Sequence, residues 1–139
     1  MVIKLCYKEY NFKITLASCK SFYDATGEDL QYILLQYIDK CRTTVGQDLL
    51  IRMNALLGVC NFETAAQAIH SLVKTENTSV SIDEIRDGMF RVSWMPSERS
   101  DDLSEPWSMV MLTIATQVND YFNNNIPVKK KGTKAKGKT

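Results

Sequence analysis

The chain has little of what catalysis usually requires. His70 is the one histidine among 139 residues, and it lies on a predicted helix with no nucleophile or metal ligand at a useful spacing. The sequence contains no glycine-rich phosphate loop, no HExxH pattern and no GxSxG pattern. We therefore predict that the protein is not an enzyme, that it uses no cofactor or metal, and that His70 is a helix-surface residue.

Long hydrophobic runs are also missing. No apolar stretch approaches the roughly 18 to 20 residues that a membrane-spanning helix needs, and Met1–Cys6 lacks the features of a secretory signal. We therefore expect no membrane association. Hydrophobic residues make up 45% of the chain and charged residues 24%, which is typical of a globular protein. The length predicts one domain, which we place at residues 1–126.

Closely spaced cysteine pairs are absent. The four cysteines lie too far apart along the chain for a zinc knuckle or a redox dithiol; they are Cys6, Cys19, Cys41 and Cys60. Without a signal sequence, a reducing compartment is the better expectation, and the thiols are then not oxidised. Cys41 and Cys60 fall on predicted apolar helix stripes, so we interpret them as small buried hydrophobic residues.

The net charge of +1 conceals an asymmetry between the body and the C-terminus. Six of the 17 Lys and Arg residues lie in the last eleven positions, so residues 1–126 carry 11 basic side chains against all 16 acidic ones. The Lys/Gly/Thr-rich segment 127–139 cannot bury a core, and we predict that it is disordered. Three roles stay open for it: phosphate contact, connection to another segment, or solubility. The acidic body does not favour nucleic-acid binding.

The N-terminal segment predicts a β-hairpin. Val2–Cys6 is rich in β-forming residues, and Phe12–Leu16 alternates cleanly between apolar and polar residues. Tyr7–Asn11 lies between them, is polar and is interpreted as the turn. Because an isolated two-stranded hairpin is marginally stable, its apolar face must rest on helices or on another chain.

Four helices are predicted between the hairpin and residue 75. Their boundary signals are a Ser18 cap, a Gly27 stop, acidic residues at Glu28–Asp29, a break at Gly46 and an Asn61 cap. The stripe of the second helix comprises Leu30, Ile33, Leu34, Tyr37, Ile38 and Cys41. The stripe of the third comprises Leu49, Leu50, Met53, Leu56 and Leu57. The stripe of the fourth comprises Phe62, Ala65, Ala66, Ile69, Leu72 and Val73.

The C-terminal half completes the predicted fold. Ser81–Glu84 has capping-box spacing and predicts a short helix to about Gly88, followed by a strand over Met89–Met95 and a loop to residue 102. Ser104–Pro106 opens a last helix, whose predicted core face comprises Trp107, Val110, Met111, Ile114, Val118, Tyr121 and Phe122. The fold class is therefore mainly α with a small N-terminal β-hairpin (α+β), arranged as a compact helical bundle.

Two predicted helices carry apolar residues away from their main stripes. These residues are Tyr32 and Leu35 on the second helix, and Met109 and Leu112 on the last. A helix with apolar residues on a second face is either central in a bundle or part of an interface. Because central burial cannot serve every helix of a small domain, we favour a partner-binding surface at these four residues, where methionine allows adaptable packing.

The order of these elements resembles a known family. The opening from Val2 to Leu30, with its hairpin and its helix ending at Thr26-Gly27, and the closing segment Glu105–Asn119 are similar to the tail assembly chaperones of long-tailed bacteriophages. The resemblance covers most of residues 1–122 and is one of architecture. It implies a mainly helical, often self-associating protein of the host cell cytoplasm, with no catalytic residues.

The resemblance also implies partners. Members of the family bind the tape measure protein, keep its long apolar helices soluble and promote polymerisation of tail tube protein around it. Many are also made in a longer form by ribosomal slippage, and Lys129, Lys130 and Lys131 are compatible with an A-rich slippery stretch in the gene. We therefore expect a homo-oligomeric chaperone whose lysine tail leads into an extension that recruits tail tube protein.

Two alternatives to a chaperone stay open. The first is a small nucleic-acid-associated protein that uses its basic tail; its DNA binding would be salt-sensitive and would disappear on deletion of residues 127–139. The second is another structural connector of a virion or prophage, which would be found in purified particles. A chaperone would be absent from the finished particle.

Overall fold

The computed structural model describes residues 1–5, 8–94 and 107–124. Within these ranges the chain forms two strands and six helices: β1 Val2–Leu5, β2 Lys8–Asn11, α1 Leu16–Thr26, α2 Leu30–Thr43, α3 Leu49–Val59, α4 Phe62–Val73, α5 Ile82–Trp94 and α6 Trp107–Asn124. The prediction of a mainly helical protein with a small N-terminal hairpin is confirmed. The predicted loop to residue 102, the predicted helix opening at Ser104–Pro106 and the tail 127–139 lie outside the described residues.

The hairpin exists, but the predicted position of its second strand is wrong. β1 pairs antiparallel with Lys8–Asn11, and Ile3 lies opposite Tyr10. Phe12–Leu16 is not a strand, because the backbone N–H of Lys13 donates to the carbonyl of Leu72 on α4 (3.3 Å) instead of to a neighbouring strand. Phe12 and Ile14 are buried, as their alternation predicts, whereas Leu16 opens α1 and is 87% exposed.

The hairpin is fixed by its contacts with α5 and α6. Leu5 is buried and packs against Gly88 of α5, where an added Cβ would come within 3.3 Å of the Leu5 Cβ. At the edge of this contact, Glu84 accepts hydrogen bonds from the ammonium of Lys8 (2.7 Å) and the hydroxyl of Tyr10 (2.5 Å). These two donors hold the pKa of the Glu84 carboxyl below its usual range. The hairpin therefore rests on helices, as its marginal stability requires.

The N-terminal cap of α1 differs from the predicted one by three residues. Thr15 is the cap, and its hydroxyl accepts from the backbone N–H of Ser18 (3.1 Å), while the Ser18 hydroxyl accepts from the backbone N–H of Thr15 (2.7 Å). This reciprocal pair is a capping box, in which Ser18 holds the third helical position. The prediction for the other end is confirmed, since Gly27 ends the helix in the left-handed region with φ +77°.

The core lies among α1, α2, α4, α5, α6 and the hairpin. α4 contributes most to it, with seven buried residues: Ala65, Ala66, Ala68, Ile69, Ser71, Leu72 and Val73. The predicted stripe of α2 is buried at Leu30, Ile33, Leu34 and Tyr37, while Ile38 and Cys41 are half-buried. The hydroxyl of Tyr37 donates to the carbonyl of Ser108 (2.9 Å) and so ties α2 to α6.

The predicted strand after Gly88 is wrong, because α5 continues to Trp94. Ile85 and Met89 are both fully buried, which is the spacing of one helix face. Gly88 is therefore not a helix stop; it is the point where α5 approaches the hairpin. Met95, the last residue of the predicted strand, lies outside the described residues.

The predicted core face of α6 is confirmed only in its middle. Its buried residues are Val110, Met111, Ile114, Ala115 and Val118. Trp107 is half-buried and meets the ring of Phe62 edge-on, with ring centroids 6.1 Å apart. Tyr121 and Phe122 are 47% and 39% exposed, because the last turn of α6 continues beyond Val118, its last buried residue.

The contact at Gly88 predicts a large effect of one substitution. Gly88→Leu must force α5 away from Leu5, so we expect it to lower the free energy of unfolding by about 1–3 kcal/mol, the usual range for overpacking. Urea denaturation of dilute protein measures this change. Gly58→Leu on α3 is the matched control, because an added Cβ there meets nothing within 4 Å. Equal destabilisation by both variants would contradict the assigned packing of the hairpin.

Candidate functional site

Helix α3 is the most unusual surface feature of the described structure. Four of its large apolar side chains are exposed to water: Leu50 at 70%, Ile51 at 53%, Met53 at 42% and Leu57 at 43%. Among the α3 side chains that the structure describes, none is buried. α4 is only one residue longer and buries seven of its residues. Much of the apolar surface of α3 is therefore left uncovered by the rest of the molecule.

Local signals nevertheless define α3 clearly. Gly46 turns the chain with φ +85°, a value that an L-residue rarely adopts. Asp48 caps the helix, and its carboxylate accepts from the backbone N–H of Leu50 (3.2 Å). The leucines and Met53 that follow are strong helix formers. These local signals thus set where the helix begins, whichever of its sides is later covered.

The inner side of α3 is attached to the molecule by apolar packing and by one arginine. Leu56 and Val59 are half-buried and pack against the core. The guanidinium of Arg52 donates from Nε to the hydroxyl of Thr44 (3.3 Å) and from Nη2 to the carbonyl of Cys41 (3.4 Å). These contacts hold α3 against the C-terminal end of α2 and determine which side of α3 points outward.

The prediction of a buried α3 stripe is therefore wrong for Leu50, Met53 and Leu57. Their spacing does place them on one side of a helix, but it is the outer side. α3 is apolar on both sides, so periodicity alone indicates a stripe without indicating its direction. The signal that sequence reasoning missed is this all-round apolarity, which is typical either of a central helix or of one that a partner covers.

The outward side of α3 is also uncharged. Arg52 is the only ionisable residue between Leu49 and Val59, and it points toward α2. Asn54 is exposed and is the only polar side chain on the outer side. We name the exposed residues of this side the α3 face; they are Leu50, Ile51, Met53, Asn54, Leu57 and Gly58.

The four residues favoured from the sequence as partner-binding lie on two helices that pack against each other, α2 and α6. Tyr32 and Leu35 of α2 are 60% and 56% exposed, and Met109 of α6 is 46% exposed. Leu112 is half-buried and packs against the core. Three of the four are thus accessible to a partner, and their binding role stays a prediction.

The three described cysteines form no disulfide with one another, and burial lowers the reactivity of their thiols. Cys60 is buried, and Cys19 and Cys41 are half-buried. Burial, aided by the nearby charge of Glu28, raises the pKa of the Cys60 thiol to about 12. Burial also raises the pKa of Cys19 and of Cys41. Since the thiolate is the nucleophile and metal ligand, these raised pKa values make the three thiols less reactive. Cys6 lies outside the described residues.

A shallow cleft between α1 and α4 contains the histidine. His70 lies beside Lys74 on α4, across from Lys20 and Asp24 on α1, which pair with each other at 3.0 Å. Its Nε2 is 3.0 Å from the carbonyl oxygen of Val80, so the Nε2–H tautomer donates there. This bond ties α4 to the start of α5, and it explains His70 without a ligand.

Residues 1–5, 8–94 and 107–124 hold no group of three or more His, Cys, Asp or Glu side chains arranged to bind a metal ion. In the same part of the chain, every helix is too short or too polar to cross a membrane. The α3 face is thus the feature of the described structure that most needs a functional explanation.

Comparisons with known proteins do not indicate a family for this chain. No protein-family model, no curated protein and no solved structure matches the chain.

The exposure of α3 predicts a contrast between two leucine substitutions. Leu50→Ala removes a side chain that is mostly in water, so we expect a change of less than about 0.5 kcal/mol in the free energy of unfolding. Leu34→Ala on α2 removes a buried side chain and should cost about 2–5 kcal/mol. Denaturant titration of both variants at low protein concentration tests the contrast. A loss of several kcal/mol with Leu50→Ala would place this residue in the core.

Proposed function

We propose that this protein is a non-enzymatic assembly chaperone that binds apolar helical segments of another polypeptide through the α3 face. The observation that carries the proposal is the exposure of Leu50, Ile51, Met53 and Leu57 on one helix of a folded domain. Contiguous exposed apolar residues on a soluble domain are typical of protein-binding sites. The resemblance to phage tail assembly chaperones supplies the client, which we propose to be the tape measure protein.

The geometry suits a helical client. An amphipathic or apolar helix binds a partner through side chains spaced by three, four and seven residues. Leu50, Met53 and Leu57 present this spacing on the α3 face. Fully burying one such side chain contributes about 1.5–3 kcal/mol relative to water. Because part of each side chain is already covered and association has its own entropic cost, a single contact of this kind is weak.

Weak single contacts are what a transient chaperone requires. A long apolar client offers many binding segments, and several chaperone molecules on one client together shield it from aggregation. Each contact can still be displaced when tube subunits polymerise along the client. The acidic body fits this role, because the 11 basic and 16 acidic side chains of residues 1–126 give a coated client a charged, hydrated exterior.

The remaining partners of the proposal follow from the resemblance. We propose that tail tube protein is recruited by an extension that ribosomal slippage adds near Lys129, Lys130 and Lys131, and that the protein acts in the host cell cytoplasm. These lysines lie outside the described residues. The α3 face alone holds the client in this scheme, so client binding and tube recruitment are separable functions of the two forms.

Co-expression with an insoluble helical fragment of the tape measure protein from the same phage genome tests the proposal. Wild-type protein should raise the soluble fraction of the fragment several-fold. Leu50→Glu should abolish most of this gain, because it places a charge in the apolar contact. Leu16→Glu is the matched control: Leu16 is 87% exposed, lies on α1 and should tolerate the same substitution without effect.

The outcome is read from the soluble fragment in cleared lysates, after both variants are shown to be folded by circular dichroism. No gain in solubility with wild-type protein would refute the chaperone function. Equal activity of Leu50→Glu and wild type would refute the α3 face as the client site.

A further inference from the structure

α3 is attached to the rest of the described structure on one side. It packs extensively against one other element, α2, whereas α4 packs against α1, α5 and α6. Leu56 and Val59 of α3 pack against the core, and both are half-buried. Among the described side chains of α3, none belongs to the fully buried core. The free energy of burial that holds α3 in place is therefore small.

One side chain supplies the hydrogen bonds that the described structure shows from α3 to α2. Arg52 reaches the Thr44 hydroxyl at 3.3 Å and the carbonyl of Cys41 at 3.4 Å, and both bonds are longer than the roughly 2.7–3.2 Å of a typical N–H···O bond. The Thr44 hydroxyl also donates to the carbonyl of Lys40 (2.6 Å), so it keeps a partner without Arg52. Loss of the arginine contacts thus leaves the end of α2 intact.

The helices on either side of α3 are terminated by residues outside α3. Between α2 and α3, Gly46 turns the chain with φ +85°. Between α3 and α4, Cys60 is extended, with φ −148° and ψ 104°. Asn61 then caps α4 by accepting from the backbone N–H of Thr64 (2.8 Å). α3 can therefore leave its place without disrupting the ends of α2 or α4.

Gly58 lowers the stability of α3 further. Glycine is unfavourable inside a helix, because it loses the most backbone freedom when it is ordered. A Cβ at Gly58 would meet nothing within 4 Å, so no close contact requires glycine there, whereas Gly88 is required by the approach of Leu5. A helix of 11 residues is marginally stable at best when it is alone in water. Detachment of α3 from α2 and unfolding of α3 are therefore one event.

We propose that α3 opens as a separate unit, leaving α2 and unfolding while the hairpin and the other helices stay folded, and that a client bound to the α3 face closes it. Local opening stands on the structure alone, whereas closure by a client rests on the proposed function. A ligand that binds the folded helix and not the open one shifts the equilibrium toward the folded helix. The chaperone thus orders its own binding surface when client is present.

Native-state amide hydrogen exchange measures the opening of each element separately. In the free protein, the amides of residues 53–59 on α3 should exchange at least tenfold faster than those of residues 69–73 on α4, after correction for intrinsic rates. Low concentrations of urea should accelerate α4 exchange strongly and α3 exchange weakly, because local opening exposes little surface. Equal protection and equal urea dependence of α3 and α4 would overturn local opening.

Three variants separate local opening from unfolding of the whole domain. Gly58→Ala should slow α3 exchange about two- to fivefold. Arg52→Met keeps the apolar stem, removes both hydrogen bonds to α2 and should accelerate α3 exchange at least fivefold. Ile114→Val is the control: it weakens the core at a buried position of α6, so it should accelerate α4 exchange about two- to tenfold and leave α3 exchange unchanged. Acceleration of α3 by Ile114→Val to the same extent as α4 would overturn the proposal.

A synthetic peptide copy of an apolar helical segment of the tape measure protein tests closure. At a peptide concentration of ten times its Kd, α3 exchange should slow about tenfold. Unchanged or faster exchange of α3 with bound peptide overturns closure and leaves the result for the free protein standing. A peptide that does not bind refutes the proposed function and closure together, while the exchange of the free protein decides local opening by itself.

Discussion

The main constraint on the structure is that one helix, α3, is apolar on both sides, whereas the bundle covers only one of them. The bundle covers the side that carries Leu56 and Val59, and Arg52 fixes this orientation through Thr44 and the carbonyl of Cys41. The opposite side stays in water, with Leu50 as its most exposed large residue. The free energy that burial of this side would contribute is not used in folding, so it is available for association with another polypeptide.

Much of the fold could be predicted from the sequence, because several helix ends and buried faces are determined by residues close together in the chain. Gly27 supplies the left-handed stop of α1, and the one-sided stripes of α2 and α4 define their buried faces. The wrong predictions arise where a local sequence pattern reflects contacts with a distant part of the chain and not the local secondary structure. Phe12 and Ile14 alternate with polar residues because both side chains are buried without forming a strand, and Gly88 is a glycine because α5 lies against Leu5.

The candidate site was less predictable, for the same physical reason. The exposure of Tyr32, Leu35 and Met109 could be expected, because each lies away from an apolar stripe that is buried. On α3 the exposed side could not be predicted in this way, because both sides of the helix are apolar. The sequence does not show that Arg52 binds α2 and so turns its own side of α3 inward. The spacing of Leu50, Met53 and Leu57 is that of a core helix, and only the tertiary contacts turn it outward.

Hydroxyl-radical footprinting with and without bound client tests the central claim most directly, because it measures the solvent exposure of individual side chains. Met53 on the α3 face and Met109 on α6 are matched reporters, being 42% and 46% exposed in the isolated chain. We expect a fragment of the proposed client, the tape measure protein, to lower oxidation of Met53 several-fold and to leave Met109 unchanged. Protection of Met109 with undiminished oxidation of Met53 would contradict the central claim and would place the client on α6 instead.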